Sequence, residues 1–467
     1  MAVSIDQAPQ FANLPIGQQI IFSVSEPTIY ATKFKVKFVA QVHVSNTPIN
    51  LSNNNDLIGT FKTTPNNVGV GIFDLRPTLE TFISPDHEPQ TDLVTSSDSE
   101  YKGTAAQDTM FPLHLVDKFA ISKKSIKYFA VNFFVEYADA ITESVIDFTT
   151  LNPAPSISYT MFNGVLQYDD SLEIFNNDYG YDLSHYYLNG TSKSFLSTAS
   201  TTQYARLEDY GTLAFLQYIP SVSYAVDYMK ITYIYPSGSS TENVSWSFAN
   251  GGVDAQGSVS NEKLGYFGAF PANLQNWSST FAAAVVNGLT EYQITAYNSA
   301  PDRITQQYTI KIICDDIKGY EGIRLTWLNK WGTWDYYTFN MKSTRSIATN
   351  RTSYTQLGGT WNESTFKIAG YKGGKKNFRV NSTEKITLNT DFVTEEEGVW
   401  FEQLINSPEV YILESFKTDP SNSALNTYAQ PTRVTSSSYT RKTIANDRLM
   451  QYTFEIEKSK MKRTQAV

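Results

Sequence analysis

The sequence predicts a mainly β protein, built of several β-sandwich-like domains with few short helices. Three observations predict it. Tyr and Phe number 30 and 28, against 7 Met, and aromatic and β-branched side chains favour pleated, half-buried surfaces. Strand-like runs recur at the spacing of sandwiches and barrels, separated by turn-rich segments. Only one stretch carries a complete helix signature. A chain of 467 residues is long enough for about three domains. We divide it into an N-terminal β domain (1–155), a middle β domain (156–260) and a C-terminal β domain (261–467).

The elements follow in order. In TKFKVKFVAQVHV (32–44), Phe34, Val36 and Phe38 share one face and Lys33, Lys35 and Lys37 the other, which predicts a sheet with one wet side. NTPINLSNNND (46–56) is turn chemistry. VGVGIFDLRPTLETFIS (68–84) begins as a strand, and Pro77 then opens a short helix carrying Leu79, Phe82 and Ile83. SPDHEPQTDLVTSSDSEYKGTAAQDT (84–109) is polar and aperiodic, so it reads as a long exposed loop, a class usually functional or disordered. SIKYFAVNFFVEYAD (125–139) returns to strand, and DFTTLNPAPSI (147–157) marks a boundary.

The middle region holds YTMFNGVLQY (159–168), YARLEDYGTLAFLQY (204–218) and AVDYMKITYIYPSGSS (225–240), the last with Ile231, Tyr233 and Tyr235 on one face. EYQITAYNS, QQYTIKIICDD, EKITLNTDFV and LMQYTFEIEKS supply further strands in the last third. The helix lies near 394–406, in VTEEEGVWFEQLINSPEV. Thr394 and Glu397 form a capping box, and three glutamates occupy the first turn, where the helix dipole favours them. Trp400 with Leu404, and Phe401 with Ile405, are i,i+4 apolar pairs, and Pro408 lies just past the end. Such a stripe packs a helix onto a sheet.

Charge and chemistry narrow the function. The net charge is −9 and the pI near 5.1. Direct nucleic-acid binding needs a basic face that displaces counterions, and the balance argues against it. The basic tail KSKMKR (458–463) reads as solvated. The single cysteine, Cys314, excludes an internal disulfide and a Cys-rich metal site. Its apolar run makes it a small buried strand residue, and the usage fits synthesis in a reducing cytoplasm. No stretch approaches the ~20 apolar residues of a membrane helix, and MAVSIDQAPQ has no signal-peptide pattern. Work outside a cell then requires another exit, such as lysis.

Four histidines, His43, His87, His114 and His185, form neither HxxH nor HExxH, so no metal site is expected. GxSxG, P-loop and GxGxxG motifs are absent, and STEK (382–385) matches SxxK at the level of chance. Carboxylate pairs at Asp169 and Asp170, Asp178 and Asp182, and Asp315 and Asp316 have the composition a glycosidase needs. Such residues more often form turns. We expect no catalytic residue, no cofactor and no enzyme.

GIRLTWLNKWGTWDYYTF (322–339) is the most distinctive stretch. Ile323, Leu325 and Trp327 fall on one face of a half-buried strand, and Arg324 and Thr326 on the other. Asn329, Gly332 and Asp335 are the turn residues, with Gly332 free to take positive φ, Asn329 bonding nearby backbone and Asp335 serving turn amides. Trp327, Trp331 and Trp334 give an aromatic contact. If buried, Trp331 and Trp334 clamp the corner; if exposed, they stack on sugars.

The form "WLNxxGxxDYYxF" after an apolar strand resembles a signature of virion structural proteins of tailed bacteriophages that infect Bacteroidota and marine bacteria. FDLRPTLETF (73–82), MFNGVLQY (161–168), the helix with its SPEVY continuation (407–411) and NDRLMQYTFEIE (446–457) resemble further segments of those proteins in the same order. The resemblance implies a tail, neck or baseplate component of the virion, made in the host cytoplasm and released by lysis. Its partners would be further copies of itself in a ring, and other virion proteins. The loop 84–109 and both termini are candidate arms, ordered only in the assembly. The alternative is a glycan-binding adhesin or receptor-binding protein with a host surface glycan as ligand.

Overall fold

The computed structural model describes residues 3–51, 56–88, 112–122, 124–146, 148, 152–166, 182–218, 221–246, 262–313, 319–414, 428–436, 438–440 and 450–463. Over these residues the chain is mainly β, with five sheets of three or more strands and few short helices. It divides into two compact units, Met1–Ile313 with Leu328–Asp335, and Cys314–Trp327 with Tyr336–Val467.

The first unit contains two pairs of facing sheets. Ser4–Gln7, Ile21–Ser25 and Val70–Asp74 form one antiparallel sheet. Opposite it run Asn13–Pro15, Tyr159–Phe162, Ile126–Ala138, Phe34–Ser45 and Leu57–Thr63, with Ala154–Pro155 added beside Ile126–Ala138. Phe22 and Phe73 of the first sheet meet Phe133 of the second at ring-centroid distances of 5.2 and 5.6 Å. Each such ring contributes about 2–3 kcal/mol on leaving water.

In the other pair, Thr212–Tyr218, Glu262–Gly268 and Phe119–Ile121 face Thr202–Ala205, Tyr308–Ile312, Glu291–Tyr297, Tyr228–Tyr235 and Gly238–Ser245. Trp246 fills the space between, stacked on Phe119 at 5.1 Å and edge-on to Phe215 at 4.8 Å. A Cβ on residue 265 would lie 2.4 Å from that indole, so Gly265 makes room for it.

These pairings cross the divisions drawn from sequence at 155 and 260. Phe119–Ile121 joins a strand at 265–267, and Tyr159–Phe162 joins strands at 126–129 and 13–15. Turn-rich composition does not show which sheets the chain links.

The second unit centres on a seven-stranded sheet in the order Trp334–Phe339, Ile323–Leu328, Val410–Leu413, Ala429–Val434, Thr453–Lys458, Gly374–Asn389, Thr344–Gln356. The helix Glu395–Asn406 packs on it through Trp400 and Phe401. Phe401 lies 4.9 Å from Tyr337 and 5.5 Å from Phe454. Thr453–Lys458 pairs with Asn389 to Lys385, and the Thr344–Gln356/Gly374–Asn389 hairpin then runs on beyond it. That hairpin is an exposed arm, paired as far as Gln356 opposite Gly374.

Several expectations from sequence are corrected. The alternation over 32–44 fails at its start: Lys35 has φ 53°, and the register against 135–138 shifts between Phe34 and Lys37. The bulge leaves Phe34 exposed, and Phe38, Val39 and Ala40 are all buried, so this strand has no continuous wet side. Ile323–Leu328 is buried on both faces rather than half-buried. Arg324 is accommodated by donating to Thr338 Oγ1 at 2.9 Å and lying over Tyr336 at 5.2 Å.

The tail 458–463 is not simply solvated, because Lys462 donates to Glu384 Oε2 at 2.8 Å and Lys458 is largely buried. The turn after Asp74 is helical over Arg76–Leu79 and Glu80–Phe82, with Leu79 and Ile83 buried but Phe82 exposed. Most of the loop 84–109, and Cys314, lie outside the described residues.

Candidate functional site

The corner at 328–335 is built around one asparagine. Asn329 Oδ1 accepts from the backbone N–H of Trp331 at 3.0 Å and of Thr333 at 3.2 Å. Its amide nitrogen donates to Leu196 O at 2.8 Å and Asp335 Oδ1 at 3.1 Å. The side chain therefore meets both of its donor and both of its acceptor valences while buried. Backbone bonds close the turn, from Asn329 N to Thr333 O and from Gly332 N to Asn329 O, each at 2.9 Å. Asn329 serves the turn amides of Trp331 and Thr333. Asp335 Oδ1 accepts from the Asn329 amide. Burial first, and the nearby Asp335 carboxylate second, push the Tyr308 phenol above its usual range.

Gly332 has φ 68°. A Cβ there would lie 1.6 Å from Asn163 O. Beside it, Val165 N donates to Lys330 O at 2.8 Å. The corner thus receives the 161–166 segment directly against its backbone. Trp334 is buried: its Nε1 donates to Asp86 O at 2.8 Å, and its ring meets His114 edge-on at 5.1 Å and His87 at 5.7 Å. Trp331 is 6% exposed, with Tyr186 edge-on at 5.8 Å and Lys330 Nζ over its ring at 4.7 Å. Neither ring presents a face on which a sugar could stack.

Trp327 belongs to the second unit and is fully buried, 4.9 Å from Trp400. The cap of that helix has both halves of its box: Thr394 Oγ1 accepts from Glu397 N at 3.3 Å, and Glu397 Oε2 accepts from Thr394 N at 2.8 Å. The residues named from sequence fall in two different units. Asn329, Trp331, Gly332, Trp334 and Asp335 form one cluster in the first unit; Trp327, Thr394 and Glu397 lie in the second.

Of the carboxylates considered for catalysis, Asp169, Asp170, Asp178, Asp315 and Asp316 lie outside the described residues. Asp182 caps a short helical turn, its Oδ1 accepting from Ser184 N at 3.0 Å. Among the described residues, no group of three or more His, Cys, Asp or Glu side chains is placed to hold a metal ion, and no helix is long and apolar enough to cross a membrane.

Sequence reasoning missed the arm. Its aromatics are exposed where those of the corner are buried: Trp361 is 77% and Tyr371 81% exposed. The available signal was charge, since Lys372, Lys375, Lys376 and Arg379 cluster in an acidic chain. No protein-family model matches this chain, and no curated protein matches it in sequence.

Proposed function

We propose that this chain is a structural component of a tailed-phage virion, at the tail, neck or baseplate, that works by assembling with copies of itself and with other virion proteins rather than by catalysis. The observation that carries the reading is the burial of Trp331 and Trp334 around Asn329. The stretch with the closest likeness to virion proteins is an architectural joint, and the 161–166 segment that shares the likeness seats against it through Asn163 and Val165.

The test is the mass and negative-stain shape of the purified protein at several concentrations, with antibody labelling of particles from an infected lysate. Rings, or particles labelled at one site, support the proposal. A monomer at every concentration that labels no particle overturns it.

Glycan binding is the second reading, favoured by exposed Trp361 and Tyr371 on the arm. A glycan array distinguishes it: specific binding lost in Trp361→Ala would favour an adhesin.

A further inference from the structure

The arm is out of character with the rest of the chain. Residues 347–381 hold six basic side chains, Arg351, Lys367, Lys372, Lys375, Lys376 and Arg379, against one acidic, Glu363. The stretch carries +5 in a chain of −9, so the remainder carries −14. The Thr344–Gln356 strand is exposed over nearly its whole length of 13 residues, which at about 3.3 Å per residue spans about 40 Å.

Its apolar side chains are uncovered. Ile368 is 84% and Ile347 69% exposed, and Leu357 and Phe366 are also bare. A two-stranded ribbon with neither face packed is marginal in water. The base of this one is fixed: Glu384 accepts from Arg345 at 3.0 Å and from Lys462 at 2.8 Å. These bonds anchor the root and leave the outer part uncovered.

We infer that the 347–381 arm docks on the body of a second copy of this chain, whose net charge is opposite to its own, making a head-to-tail contact. The charges select the occupant. Two arms laid together would set +5 against +5, which opposes a symmetric arm-to-arm pairing. An arm of +5 on a body of −14 is attractive, and every copy supplies both halves. Exposed Ile347, Leu357 and Ile368 gain from apolar burial only against a protein surface, whereas exposed Trp361 and Tyr371 would serve a protein, a base or a sugar alike, so the aliphatic side chains and the charge balance together select the protein. A heterologous contact of this kind closes into a ring or extends into a filament. The inference deepens the assembly reading above and rests on it, but not on any position in a virion.

The test is sedimentation velocity of the full chain at several concentrations, in about 50 and about 500 mM NaCl, salt concentrations at which charge screening differs strongly. Two variants accompany it: Lys367→Glu/Lys375→Glu/Lys376→Glu, and Trp361→Ser/Ile368→Ser. All five side chains lie on the arm, so melting temperatures should match wild type.

The expected result is self-association of the wild type that weakens about tenfold or more at high salt and in both variants. Variants that associate as tightly as wild type would overturn the docking inference and leave assembly by other surfaces standing. A wild-type monomer at every concentration would also overturn it, and particle labelling then decides the virion reading separately. Arm-dependent capture of a short DNA duplex or of heparin by a chain that does not self-associate would replace the second copy with a polyanion.

Discussion

Gly332 has no room for a side chain. Its φ of 68° suits glycine, and Asn163 O occupies the place of a Cβ. Gly332→Val is therefore expected to destabilise the protein by about 3 kcal/mol or more, since strain and a backbone clash act together; chemical denaturation measures it, and an unchanged midpoint would remove the corner from the structural account. Trp331 and Trp334 alone do not reveal their burial in the sequence, because a turn and a sugar site use the same residues. Asn329 decides it through Leu196 O, a partner 133 positions away. His43 presents a different residue-scale consequence. It is buried, and neither ring nitrogen has a hydrogen-bond partner among the described residues. Burial lowers its pKa from 6.5, outweighing the opposing pull of Asp56. The unfolded chain then takes the proton first, so the His43 contribution is intact above about pH 6.5 and is lost as pH falls through the lower folded value. The melting temperature should drop between about pH 7 and pH 5, and His43→Leu, which buries no titratable group, should flatten that slope. An equal slope in the variant would assign the acid sensitivity to other groups.

Among the elements, the helix Glu395–Asn406 was the most legible and the arm the least. The capping box is written three residues apart, and its apolar stripe follows the helix period, so local sequence contains the whole signal. Thr394→Ala should cost about 1 kcal/mol, whereas Trp400→Ala, which empties the space beside Trp327, should cost about 3–5 kcal/mol. Thermal denaturation of the pair separates cap from core, and equal losses would contradict this division. The β class was legible from aromatic content and from strand runs such as Tyr228–Tyr235, whose Met229, Ile231 and Tyr233 are buried in alternation. The arm gave no such pattern, because neither face of it is buried and no period distinguishes one side from the other. The helix Ser279–Val286 was also missed, although Ser278 Oγ accepts from Phe281 N at 2.9 Å as its cap. Its run of alanines and valines has no polar face to set the period, and only Phe281 and Ala284 are buried.

For the whole molecule, chain order and spatial order disagree. The first unit takes Met1–Ile313 and then Leu328–Asp335, so the chain passes between units after Ile313, Trp327 and Asp335. A fragment ending at 313 would lack Asn329, Lys330 and Trp334, the partners of Leu196 O, Val165 N and Asp86 O. It is expected to lack the near-ultraviolet circular dichroism of a packed core and to be digested rapidly, while the full chain resists. A stable 1–313 fragment would show the corner to be dispensable. Synthesis gives this arrangement a timing. Residue 335 leaves the ribosome's active centre 22 positions after residue 313, or about 1–4 s later at about 5–20 residues per second. During that interval the first unit is an unfinished body with a bare docking place at Asn163 and Leu196. A pause or premature stop between 313 and 335 would prolong its exposure to chaperones and proteases, so a chain halted in this short stretch is expected to be cleared faster than one that passes it.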